Sequence, residues 1–158
     1  MRLYFLRHGQ ADRSKWSGSD FERPLTKRGK LLMAQTADTI ADLNLKLDLI
    51  LTSPLVRALQ TAEIVARNLR LSDRLVVDTR LGPGFDTDVL ADMLLEHPGA
   101  NSVLLVGHEP DFSYTISDLT GGGRLVVKKG SLARIDITAA AVLAGELVWL
   151  IPPKALAR

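Results

Sequence analysis

Apolar residues recur along this chain in two rhythms, short unbroken runs and stripes spaced three and four apart. The runs are Arg2 to Leu6, Leu47 to Leu51, Leu75 to Val77 and Ser102 to Val106. They are too short for buried helices and end in polar or turn residues, so each predicts a strand covered on both faces. Between them, Met33, Ala37, Ile40 and Ala41 share one face of a helix from Lys27 to about Asn44. Leu55, Leu59, Ala62, Val65, Ala66 and Leu69 make the clearest helical stripe. A helix from about Thr87 to Glu96, capped by Asp86 and stopped by Pro98, comes next, and Phe112, Ile116 and Leu119 mark a fourth. Gly121-Gly122-Gly123 is a turn, and the runs Leu132 to Ile137 and Leu147 to Ile151 predict a hairpin stopped by Pro152-Pro153.

Strands alternating with helices predict an α/β three-layer sandwich, its sheet mostly parallel with helices on both faces. The last hairpin adds an antiparallel edge at the C-terminus. With no linker or repeat in its 158 residues, the chain is expected to form one domain over residues 1–158.

Composition narrows the chemistry. The 20 basic and 18 acidic residues leave a net charge of +2, too little for a nucleic-acid footprint. Without cysteine the chain has no thiol nucleophile, disulfide or Cys-ligated metal. The longest apolar run, Ala139 to Ala144, falls far short of the roughly 18 residues a membrane span needs. Leu3-Tyr4-Phe5-Leu6 is likewise short of the about 7–15 residues of a signal-peptide core. The expectation is a cytoplasmic protein with neither nucleic-acid nor membrane partners.

Ligands of open α/β sheets sit beyond the carboxyl ends of the strands. Here the first strand is followed by Arg7-His8-Gly9, the second by Thr52-Ser53-Pro54 with Arg57 just beyond, and the fourth by Gly107-His108-Glu109. Each piece alone has an ordinary reading. Arg-His-Gly is common in surface turns, Ser53-Pro54 is helix-start grammar, and His108 suits a loop satisfied by backbone. Gly9 is expected to let a ligand approach the backbone. Arg57 is out of place in a first helical turn, where the dipole favours acids, unless cation and helix address one anion. His97, at a helix end beside Pro98, has no assigned role.

Together, two His and two Arg at one sheet edge suggest phosphoryl transfer. Two guanidiniums form a rigid fork for phosphoryl oxygens and lower a nearby imidazole below its usual value of about 6.5. A neutral imidazole is a nucleophile, and a second one can donate to the phosphoryl oxygens as charge builds. No His-x-x-x-His zinc spacing occurs, Asp86-Thr87-Asp88 with Asp92 reads as a capped helix start, and the triple glycine lacks a P-loop ending, so no metal or cofactor is expected. Lys128-Lys129 reads as a solvated pair, with protein docking as the other use. Trp16 and Trp149 are too few for a stacking platform.

Leu6-Arg7-His8-Gly9, Ser53-Pro54-Leu55-Val56-Arg57-Ala58-Leu59-Gln60-Thr61-Ala62 and Val106-Gly107-His108 resemble, in order, the motifs of the histidine phosphatase superfamily. Its patterns are Arg-His-Gly, Ser-Pro-x-x-Arg-Ala-x-x-Thr-Ala and Val-Gly-His. The short chain and its ending Leu147-Val148-Trp149-Leu150-Ile151-Pro152-Pro153-Lys154 resemble the SixA-type phosphohistidine phosphatases within it. The resemblance implies that His8 is the phosphorylated nucleophile and that Arg7, Arg57 and His108 bind the phosphoryl group. Ser14 falls where some members place another phosphate contact. Gln10 replaces the glutamate of many members, and Pro83 stands where mutase and acid-phosphatase branches carry a leaving-group acid, with Asp86 the nearest carboxylate.

The expected activity is therefore metal-independent removal of phosphate from phosphohistidine on a protein, possible partners being a phosphorelay domain or a small phosphorylated metabolite. The alternatives are a small-molecule phosphomonoesterase and a non-catalytic phosphate-binding module. Only Asp12 to Pro24 is long enough to form a lid, which predicts an open site whose four side chains face solvent and can be replaced without unfolding.

Overall fold

Six strands, β1 (Arg2–Arg7), β2 (Leu49–Thr52), β3 (Leu75–Val77), β4 (Ser102–Gly107), β5 (Leu132–Ala139) and β6 (Ala144–Ile151), form one sheet in the order β3-β2-β4-β1-β5-β6. They are seen in a computed structural model that describes residues 1–157. β1 to β4 are mutually parallel, β5 pairs antiparallel with β1, and β6 antiparallel with β5. The helices are α1 (Lys27–Asp42), α2 (Val56–Asn68), α3 (Thr87–Leu95), α4 (Asp111–Leu119) and a single turn, α5 (Pro153–Leu156).

The period-2 alternation of side chains sorts each apolar run into two cores. Leu3, Phe5, Leu51, Val103 and Leu105 pack with Leu90 and Met93 of α3 and Phe112 and Ile116 of α4. Tyr4, Leu6, Ile50, Leu104 and Val106 pack on the opposite face with Ala37 and Ile40 of α1, Ala62 and Val65 of α2, and Leu156 of α5. Helices on both faces explain why β2 and β4 are buried at every position and read as unbroken apolar runs.

Three boundaries differ from the sequence pattern. β2 begins at Leu49 because Leu47 closes a turn onto the Leu45 carbonyl at 3.1 Å. The hairpin is longer than predicted, and the apolar run after Ala139 forms its turn, with Leu143 at φ 39°. Pro152 ends β6 as expected, but Pro153 then opens α5, where its fixed φ suits a first helical position.

Register aligns the ends that matter. Arg7 sits beside Gly107 and Thr52 beside Val106. The pairing continues one residue further, His8 N–H donating to the Gly107 carbonyl at 3.1 Å and Ser53 N–H to that of Val106 at 3.0 Å. Segments distant in sequence thus leave the sheet at one level.

Candidate active site

Arg7, the last residue of β1, anchors its guanidinium by donating from Nη1 to the Val127 carbonyl at 2.8 Å. His8 follows, and its Nδ1–H donates to the Gly9 carbonyl at 2.7 Å, which leaves Nε2 as the lone-pair nitrogen. Arg57, in the first turn of α2, brings Nε within 3.3 Å of that Nε2. The His108 ring, delivered by β4, lies 5.2 Å from the His8 ring, centroid to centroid. Its Nε2 is 2.7 Å from Ser53 Oγ, while its buried Nδ1 has no partner. Ser53 Oγ also accepts the Leu55 N–H at 3.3 Å, and among the described residues its own proton has no acceptor other than His108 Nε2, which directs it there. That assignment leaves a hydrogen on Nδ1, a donor with nothing in the protein to receive it. These groups line a cavity of about 580 Å³ with Gln10, Ser14, Arg23, Glu109 and Lys129.

Ser53→Ala is expected to lower kcat about tenfold while KM changes little, because His108 loses the partner that sets its tautomer and the imidazole itself remains. Thr in place of Ser53 should recover most of the loss. A drop in thermal stability with unchanged kcat would make the serine merely structural.

Electrostatics favour neutral imidazoles. Burial, together with His108, Arg57 and Arg7, pushes His8 down to about 3 against the backbone bond to Gly9. Burial and Arg57 likewise take His108 down to about 4, with Asp20 opposing. Below an unfolded value of about 6.5, the unfolded chain therefore binds protons the native protein does not, so stability falls as pH drops from there toward 4. Melting temperatures recorded between pH 7 and pH 4.5 should decline, and His8→Ala combined with His108→Ala should flatten that decline. Parallel slopes for the two proteins would exclude the buried imidazoles as the source.

The four predicted side chains do converge, but not as solvent-facing groups. His8, Arg57 and His108 are only 5%, 6% and 6% exposed. The 12–24 loop folds over them and places Asp20 against Arg57. Arg57 donates from Nη1 to the Asp20 carbonyl at 2.7 Å and from Nη2 to its carboxylate at 3.1 Å. Arg23 grips the same carboxylate through Nε and Nη2 at 3.2 and 3.0 Å, and its Nη1 donates to the Ala11 carbonyl at 2.6 Å. Burial raises Asp20, but Arg23 and Arg57 outweigh it and hold the carboxyl below its usual range. The expected insensitivity of folding to substitution at these positions is corrected accordingly, since a buried guanidinium or imidazole leaves unpaired groups or a cavity behind.

Asp20 and Arg23 carried no signal in the sequence beyond their type, and Lys129 was marked only as half of a solvated or docking pair with Lys128. The anion inferred from the odd position of Arg57 is, in this structure, the Asp20 carboxylate. Ser53 is not a helix cap: α2 starts at Val56 after Leu55, and Val56 N–H is satisfied by the Phe21 carbonyl at 3.0 Å. Packing also requires Gly9, because a Cβ there would sit 2.5 Å from Met33 Cγ. Its N–H is held by Thr61 Oγ1 at 3.1 Å, which ties the loop to α2. Ser14 is exposed at the cavity rim, its N–H and hydroxyl bonded to Asp12.

Asp86 does not line the cavity; it caps α3 by accepting the Val89 N–H at 2.9 Å. The cavity's own carboxylates are otherwise engaged, Asp12 by Ser14 and both oxygens of Glu109 by Ser113. Among the described residues no group of three His, Asp or Glu is placed to hold a metal ion, and no helix is long and apolar enough to cross a membrane.

Comparison with known proteins matches residues 3–82 to the family model of the histidine phosphatase superfamily, branch 1. The chain is 36% identical over 163 residues to an uncharacterized protein of Picosynechococcus, covering 98% of both. It is 32% identical over 124 residues to the phosphohistidine phosphatase SixA of Escherichia coli, covering 77% of this chain and 76% of that one. Among solved structures, the protein histidine phosphatase SixA complexed with tungstate superposes with a TM-score of 0.88 at 28% identity, covering 99% of both chains.

Proposed function

The chain belongs to the histidine phosphatase superfamily and is a phosphatase, and we propose that its substrate is phosphohistidine on a protein, with His8 as the covalent nucleophile. The observation that carries the reading is His8 itself: a neutral imidazole whose Nδ1–H is tied to Gly9 and whose Nε2 lies against Arg57. Nε2 attacks phosphorus with its lone pair. The substrate ring reacts in its protonated form, with a proton from solvent on the nitrogen not bonded to phosphorus; the bond from phosphorus breaks, its electron pair staying with the ring, and the imidazole departs neutral. Water then attacks phospho-His8, the bond to Nε2 breaks with its electrons returning to the ring, and the water proton passes to solvent as inorganic phosphate leaves.

Arg7, Arg57 and His108 Nδ1–H bind the phosphoryl oxygens and stabilise the charge that builds on them. The SixA structure that this chain resembles holds tungstate, a tetrahedral oxyanion like phosphate. His108→Ala should cost on the order of 10²–10³ in rate, the effect of one preorganised donor, and leave measurable turnover.

The choice of phosphohistidine rests on the leaving group. An alkoxide's conjugate acid has a pKa near that of water, about 15.7, whereas imidazole's is about 6.5, so only the former needs a dedicated acid. Asp86 is engaged as a helix cap outside the cavity, and the two carboxylates that line it accept from serines, Asp12 through Oδ1 and Glu109 through both oxygens, which supports a reaction without a dedicated acid. Phosphate release from a phosphohistidine-bearing protein in EDTA, beside p-nitrophenyl phosphate, tests the reading. A higher kcat/KM on the protein supports it. A protein left untouched while the aryl ester turns over makes this a small-molecule phosphatase, and silence on both with retained phosphate affinity makes it a binding module.

A further inference from the structure

A second groove, of about 950 Å³, opens beside the catalytic cavity and shares Arg7, Gln10 and Lys129 with it. It runs between α1, the turn before β5 and the terminal turn α5. Besides Arg7 its walls carry Arg28, Lys128, Lys129 and Lys154, and among the described residues no Asp or Glu lines it. None of these four is within ion-pairing distance of a carboxylate among the described residues. In a chain with a net charge of only +2, five cations around one groove are a local arrangement rather than a consequence of composition.

Lys129 sits where the groove meets the catalytic cavity, lowered by burial and then by Arg7, Arg23 and Arg57, with Asp12 opposing. Between the cations the floor is apolar, formed by Leu32, Met33 and Pro153. The groove is built in, because Thr39 Oγ1 of α1 donates to the Leu156 carbonyl at 2.6 Å and pins α5 in place. The chemistry at His8 uses none of Arg28, Lys128 or Lys154.

We propose that this groove docks an acidic segment of the phosphohistidine-bearing protein, its carboxylates on the lysines and arginines and an apolar side chain on Leu32 and Met33. The inference rests on the phosphohistidine reading and names the partner surface. Charge complementarity at such a rim selects partners and speeds their encounter, while the shared Arg7 and Lys129 carry the segment directly into the catalytic cavity.

The test uses two synthetic peptides of equal length, each with one phosphohistidine, flanked in one by Glu and Leu and in the other by Lys and Leu, beside free phosphohistidine. Wild type should prefer the acidic peptide by about tenfold or more in kcat/KM at low salt, mainly through KM, with the preference shrinking as salt rises. Arg28→Glu, Lys128→Glu and Lys154→Glu combined should erase that preference and leave free phosphohistidine turnover unchanged. All three side chains are exposed, so the fold should tolerate the change. A preference that survives charge reversal, or no preference in wild type, overturns the docking role. Equal loss on the free amino acid would instead make the groove a small-ligand subsite. No turnover of any of the three substrates overturns the phosphohistidine reading itself.

Discussion

His8→Ala should reduce turnover by about 10⁴-fold or more on every substrate, because it removes the atom on which the phosphoryl group is carried. Neither a thiol nor the second imidazole can take its place. Cysteine is absent from the chain, and the second imidazole has its Nε2 committed to Ser53. The same variant should trap no label when the protein is quenched during turnover of a ³²P-labelled substrate, whereas wild type should carry acid-labile, base-stable phosphate. Since His8 is buried and its ring packs near that of His108, circular dichroism and melting should accompany the assay. His8→Gln, closer in volume, then separates lost chemistry from lost packing. A folded His8→Ala protein with wild-type turnover would end the covalent route.

Arg57→Ala is expected to cost about 10³-fold in kcat/KM, the scale on which a transition-state arginine acts in phosphoryl transfer. It also reaches the fold. The guanidinium joins α2, the Asp20 carbonyl and carboxylate, and His8 Nε2, so its loss unpins the 12–24 loop while relieving one cause of the low His8 value. The variant should therefore show faster proteolysis within residues 12–24 together with lost activity. Arg57→Lys should recover little, because a single ammonium cannot hold Asp20 and face His8 at once. Loop protection equal to wild type would remove the structural half of this prediction, and near-normal kcat/KM would remove the catalytic half.

How legible the site was follows from the kind of interaction that builds each part. Arg7-His8, Ser53 and Gly107-His108 were readable because each follows a short apolar run, and parallel strands in register must release their next residues at one sheet edge. Arg57 was readable as an anomaly, a cation where a helix dipole disfavours it. Asp20, Arg23 and Lys129 were not, since loop residues have no periodicity to tie them to a place. Ser53 was misread for a related reason. Its grammar fits a cap, but α2 begins only at Val56, and the hydroxyl bonds instead to His108, 55 positions away.

By itself, then, the sequence determined the architecture and which Arg and His side chains meet at one sheet edge. Burial patterning decides which runs become strands and which stripes face them, and those preferences act over a few residues at a time. Only the tertiary structure decided how the site is enclosed and charged. It laid a carboxylate from a loop onto Arg57, buried both imidazoles deeply enough to keep them neutral, and gathered cations from α1, α5 and the turn before β5 into one groove. Desolvation and charge crowding depend on distances between segments far apart in the chain, and no local pattern encodes those distances.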